Sequence, residues 1–67
     1  MASRKIGVTV KRIRETKDLS QLALAKRAKV AQGYLSDLEA GSKKNPGIDV
    51  LKRLAKAMGV RVTELLE

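Results

Sequence analysis

The sequence predicts an all-α protein folded as a compact five-helix bundle, and three observations carry that prediction. Apolar residues recur three and four positions apart along most of the chain, the spacing that lines one face of a helix. Ser20, Gly41, Pro46, Gly47 and Gly59 bound these apolar runs, as capping and turn residues do. Alternation is confined to Val60-Arg61-Val62, too short to carry a sheet.

In the first helix, expected over about residues 6 to 17, Ile6, Val10 and Ile13 lie among Lys11, Arg12 and Arg14, an amphipathic pattern. Ser20 then offers a side-chain cap to the alanine-rich run that follows, giving a second helix over about 21 to 28. The pattern resumes at Gln32, with Leu35 and Leu38 on one face and Gly41 placed to end a third helix of about 32 to 40 in a left-handed turn. Residues Ser42 to Gly47 are turn material. Ile48, Leu51, Leu54, Ala55 and Met58 form the stripe of a fourth helix closed by Gly59, and Leu65 and Leu66 belong to a last short helix beginning near Val62. Met1 to Lys5 read as a flexible basic arm, and residues 6–67 as one domain.

Composition narrows the function. The chain has no cysteine and no histidine, which removes disulfides, thiolate zinc sites and the commonest general base and metal ligand. Neither a metal nor a cofactor is expected, and catalysis is disfavoured, since nothing gathers the remaining Asp, Glu, Lys and Tyr into a pocket. Lys and Arg number 15 against 7 Asp and Glu, with a formal net charge of +8, and the sequence pI near 10.3 points to a polyanionic partner. Most of the excess lies in residues 1–29, which hold nine basic and two acidic residues. No run approaches the roughly 20 apolar residues of a membrane span, and the first residues lack the apolar core of a signal peptide. A cytosolic, nucleoid-associated location is the simplest expectation.

Only about three residues separate the second and third helices, which favours a sharp bend closed by Leu24, Ala28, Val30, Leu35 and Leu38. Ser20-Gln21 through Ala25, Val30, Leu35, Leu38, Glu39 and Gly41 resembles the helix-turn-helix of the Cro and phage-repressor-like, or XRE, family. Gly7, Val10, Ile13 and Arg14 resemble that family's first helix. Pro46 through Val60, followed by Glu64-Leu65-Leu66, resembles its fourth and fifth. The resemblance implies a lambda-repressor-like fold in which the third helix enters the DNA major groove, its N-terminal residues facing base edges.

On that resemblance the candidate base-reading residues are Gln32, Gly33, Tyr34, Ser36 and Asp37. Gln32 suits a two-point contact with adenine, Gly33 stands where relatives often carry a polar reading side chain, and Asp37 suits cytosine N4. Tyr34 suits either surface packing or contact with the DNA backbone. Ser20 and Gln21, at the start of the second helix, and Lys43, Lys44 and Asn45, beyond the third, are candidate phosphate ligands. Arg14 and Glu39 match a family pair that orients the third helix. Two departures stand out: Lys29 occupies a turn position where relatives often have glycine, and Ala31 replaces the usual Ser or Thr cap. Lys11, Arg12, Lys17, Lys26 and Arg27 read as solvating charges, whereas Lys52, Arg53 and Lys56 have no assigned role.

The expected function is therefore that of a sequence-specific double-stranded DNA-binding transcriptional regulator, in this family most often a repressor. It would bind a two-fold related operator as a homodimer formed through the fourth and fifth helices. Two alternatives remain: an antitoxin-type interaction protein that also binds DNA, with a toxin or larger chain as partner, and a sequence-indifferent nucleic-acid binder.

Overall fold

A computed structural model describes residues 2–42 and 46–66, the backbone alone for residues 2–5. Five helices follow in order: α1 (Ala2–Thr16), α2 (Gln21–Ala28), α3 (Gln32–Ala40), α4 (Ile48–Met58) and α5 (Val62–Leu66). There is no strand among the described residues. The expected bounds of α2 to α5 agree with those found. Helix α1 starts four residues ahead of its expected start at Ile6, so its backbone continues into the segment read as an arm. Residues 2–5 carry no apolar period that would announce a helix, yet alanine, arginine and lysine are good helix formers and no glycine or proline breaks the run.

One apolar core joins all five helices. Ile6 and Val10 come from α1, Leu24, Ala25 and Ala28 from α2, Leu35 and Leu38 from α3, Leu51, Leu54, Ala55 and Met58 from α4, and Leu65 from α5. Helix α1 lies against α3, and α2 against α4. Within α4 the buried set follows the 3.6-residue repeat, except that Ile48, expected in the stripe, stands half exposed at the helix's first position. Leu66 is likewise exposed beside buried Leu65.

The helices stop by one device. Asp18, Lys29, Gly41 and Gly59 follow α1 to α4 in the left-handed conformation. After each, the next amide reaches back to a carbonyl five residues earlier: Leu19 to Arg14, Val30 to Ala25, Ser42 to Asp37 and Val60 to Ala55, all at 2.8–3.0 Å. These bonds satisfy carbonyls that a helix end leaves open. Leu19, Val30 and Val60 also turn their side chains onto the core, the apolar contact that accompanies such stops. At the other ends, Ser20 Oγ accepts from the Ala23 amide at 3.0 Å, and Glu64 Oε2 accepts from the Arg61 amide at 3.0 Å.

Candidate nucleic-acid interface

Helices α2 and α3 are joined by Lys29, Val30 and Ala31. Lys29 reverses the chain at φ 59°, ψ 45°, a conformation that costs a non-glycine residue roughly 1–2 kcal/mol. Val30 anchors the turn in the core, and Ala31 opens α3 with no side-chain cap. Both sequence departures thus lie in the corner that aims α3.

Helix α3 presents two faces. Leu35, Leu38 and Glu39 are buried, whereas Gln32, Gly33, Ser36 and Asp37 are exposed. These four fall at i, i+1, i+4 and i+5, which makes them one continuous strip, and Ala40 is exposed beyond it at the end of the helix. Tyr34 is half-buried and packs against the core, so its ring belongs to the flank of that strip. Gly33 has an ordinary helical backbone, and a Cβ built on it meets no described atom within 4 Å. The fold itself does not require glycine there.

Arg14 fixes α3 in place. Its Nε donates to Glu39 Oε2 at 2.7 Å and its Nη2 to Glu39 Oε1 at 3.0 Å, while Nη1 donates to the Leu19 carbonyl at 2.6 Å. Gln21 Nε2 adds a bond to Glu39 Oε1 at 2.9 Å. One carboxylate therefore holds α1, α2 and α3 together. Both charged residues are more than nine-tenths buried, Arg14 at 8% exposure and Glu39 at 9%, and the two-point geometry suits a planar guanidinium. The hydrogen bond to Glu39 raises the Arg14 pKa above its ordinary value; burial opposes the shift, and the charges of Glu39 and Glu15 add to it. Since a raised cation pKa withdraws stability only as pH rises through it, Arg14 keeps its charge throughout ordinary pH.

Of the expected phosphate ligands, Ser20 is committed as the cap of α2 and keeps its hydroxyl proton for a further acceptor. Gln21 is half-buried with one amide hydrogen on Glu39, leaving its other hydrogen and its oxygen. Lys43, Lys44 and Asn45 lie outside the described residues. Sequence reasoning did not find the Gln21 and Leu19 links, nor the reason for Gly7. A Cβ on Gly7 would overlap the Leu38 carbonyl oxygen and come within 2.9 Å of its carbon, so α1 and α3 meet backbone to backbone there. The available signal was a glycine inside an amphipathic helix, away from any turn.

The helix-turn-helix family model matches residues 10–65. The chain belongs to the helix-turn-helix family. Within that family it is 37% identical over 62 residues to the HTH-type transcriptional regulator SinR of Bacillus subtilis, covering 92% of this chain and 56% of SinR. It is 33% identical over 61 residues to the immunity repressor protein of Bacillus phage phi105, covering 91% of this chain and 42% of the repressor. The chain thus spans about half the length of these curated relatives. A crystal structure of SinR in complex with DNA superposes with a TM-score of 0.89 at 37% identity, over 92% of this chain and 98% of that one. The clp gene regulator ClgR from Corynebacterium glutamicum superposes at 0.92 with 29% identity, over 98% of this chain and 69% of that chain. The relatives are regulators and repressors of transcription, and no helix among the described residues is long and apolar enough to cross a membrane.

Proposed function

We propose that this chain is a sequence-selective double-stranded DNA-binding transcriptional regulator of the repressor type, acting in the cytoplasm and without catalytic activity. The observation that carries the reading is the exposed strip Gln32, Gly33, Ser36 and Asp37 on a helix that Arg14 and Glu39 lock to its neighbours. In this reading α3 lies in the major groove and Gln32 reads an adenine edge. Gly33 lets the backbone approach the duplex closely. Tyr34 flanks the contact, while Ser36 and Asp37 meet bases one turn further on. Phosphates are held by Ser20, Gln21 and the free amides at the start of α2, together with Lys43, Lys44 and Asn45. The SinR complex with DNA supports this arrangement through its likeness over nearly its whole length.

Two copies binding a two-fold related operator follow from the docking geometry of such helices, with α4, α5 and exposed Leu66 as the pairing region. A protein partner is a second element of the reading, supported by the solved complex of SinR with SinI. Selection of sites from random duplexes near physiological salt, with stoichiometry measured on the winner, tests the whole. The expected result is a palindromic site holding two chains. Random duplex competing as well as the selected site would make the protein a sequence-indifferent binder and overturn the proposal.

A further inference from the structure

Between the end of α2 and the middle of α4 lies a shallow depression of about 390 Å3, lined by Arg27, Ala28, Lys29, Arg53, Lys56 and Ala57. Four of these residues are cationic and none is acidic. The four charged side chains are exposed, whereas Ala28 is buried and Ala57 half-buried, forming an apolar floor. Arg53 Nη1 donates to the Lys29 carbonyl at 3.3 Å, which holds its guanidinium at the rim. No residue of α3 takes part.

Like charges gathered without a counter-charge repel one another, so a partner of opposite sign lowers the energy of the set. What the depression lacks then selects the chemistry of that partner. Compact phosphates favour helix N-termini, where amides point at the ligand. Here the chain offers the C-terminal end of α2, where the Lys29 and Val30 amides are spent on the Lys26 and Ala25 carbonyls and the negative backbone potential opposes either kind of anion, so the spacing of the side chains decides. Four long cationic side chains around a strip of alanine methyls suit carboxylates spaced along an extended chain with small apolar residues between them. We propose that the depression between α2 and α4 docks an acidic peptide segment of a partner protein, its carboxylates on Arg27, Lys29, Arg53 and Lys56 and its small side chains over Ala28 and Ala57. This surface is separate from the strip on α3, so it stands or falls apart from the DNA reading.

The test is a titration of the isotope-labelled chain with a capped peptide of alternating Glu and Ala, followed by amide resonances in about 0.15 M salt. Saturable shifts centred on Ala28 and Ala57 are expected. The double charge reversal R53E/K56E is expected to weaken binding about tenfold or more, while K11E/R12E, which removes the same charge from α1, changes it less than about threefold. If the reversal does not fold, R53A/K56A must weaken binding about threefold or more. Equal losses in the two double variants, or shifts centred on α3, would make the binding diffuse and overturn the proposal. Tripolyphosphate binding more tightly than the peptide at equal charge would assign the depression to phosphate and overturn it as well.

Discussion

Gly7 and Gly33 are both helical glycines, and they answer to different demands. Gly7 lies where α1 touches the backbone of α3, and no other residue fits there without moving a helix. Gly33 sits on the exposed edge of α3, where a methyl group would meet no described atom of the protein. An exposed helical glycine costs roughly 0.5–1 kcal/mol relative to alanine. The contrast separates a seam set by the fold, comprising Gly7, Arg14 and Glu39, from an edge whose composition the fold leaves open. Substitutions in the seam should register as stability, and those on the edge as binding.

The largest effect is expected from Glu39→Ala, which leaves the buried Arg14 guanidinium without its carboxylate. A loss of about 3–5 kcal/mol is a large part of the stability of so small a domain, so thermal unfolding should show most of the chain melted at ordinary temperature. If Glu39→Ala melts normally yet fails to bind DNA, the residue belongs to the edge and the division is wrong. Gly7→Ala comes next, with a cost of about 1–3 kcal/mol from overpacking and a fall in Tm of roughly 4–8 °C for each kcal/mol. An unchanged melting temperature there would mean that α1 and α3 are not in contact.

Gln32→Ala sharpens the comparison from the other side. Its melting curve should match the parent, while preference for the selected duplex over a scrambled one falls by about 1–3 kcal/mol, read by competition binding. The smallest effect is expected for Gly33→Ala: a gain of up to about 0.5–1 kcal/mol in stability, accompanied by weaker specific DNA binding. Stability that rises while affinity stays the same would remove close approach to the duplex as the reason for this glycine.

These regions also differ in how far the sequence disclosed them. The periodicity of α2 to α5 was legible from their apolar residues, and the stops of α3 and α4 from Gly41 and Gly59, while the exposed strip Gln32, Gly33, Ser36 and Asp37 follows from the buried Leu35 and Leu38. Only the family resemblance suggested the Arg14–Glu39 pair, since residues 25 apart in sequence share no local pattern. The link from Gln21 to Glu39, the bond from Arg14 to the Leu19 carbonyl and the backbone contact at Gly7 were not legible at all. Each depends on how two helices cross, which no local rule specifies. The cationic depression escaped for the same reason, because Arg27 and Arg53 become neighbours only when α2 lies on α4. Helix α1 began earlier than expected because propensity alone extends it ahead of Ile6, where its apolar period starts.

The left-handed corners after α1, α2 and α4 leave only three or four residues between successive helices, and each is pinned by an apolar side chain packed against the core. A framework jointed in this way has no slack with which to follow an irregular surface. Whatever it grips at several points has to do the accommodating. For a duplex, the ease with which particular base steps bend or twist would then enter selectivity alongside the base edge proposed for Gln32.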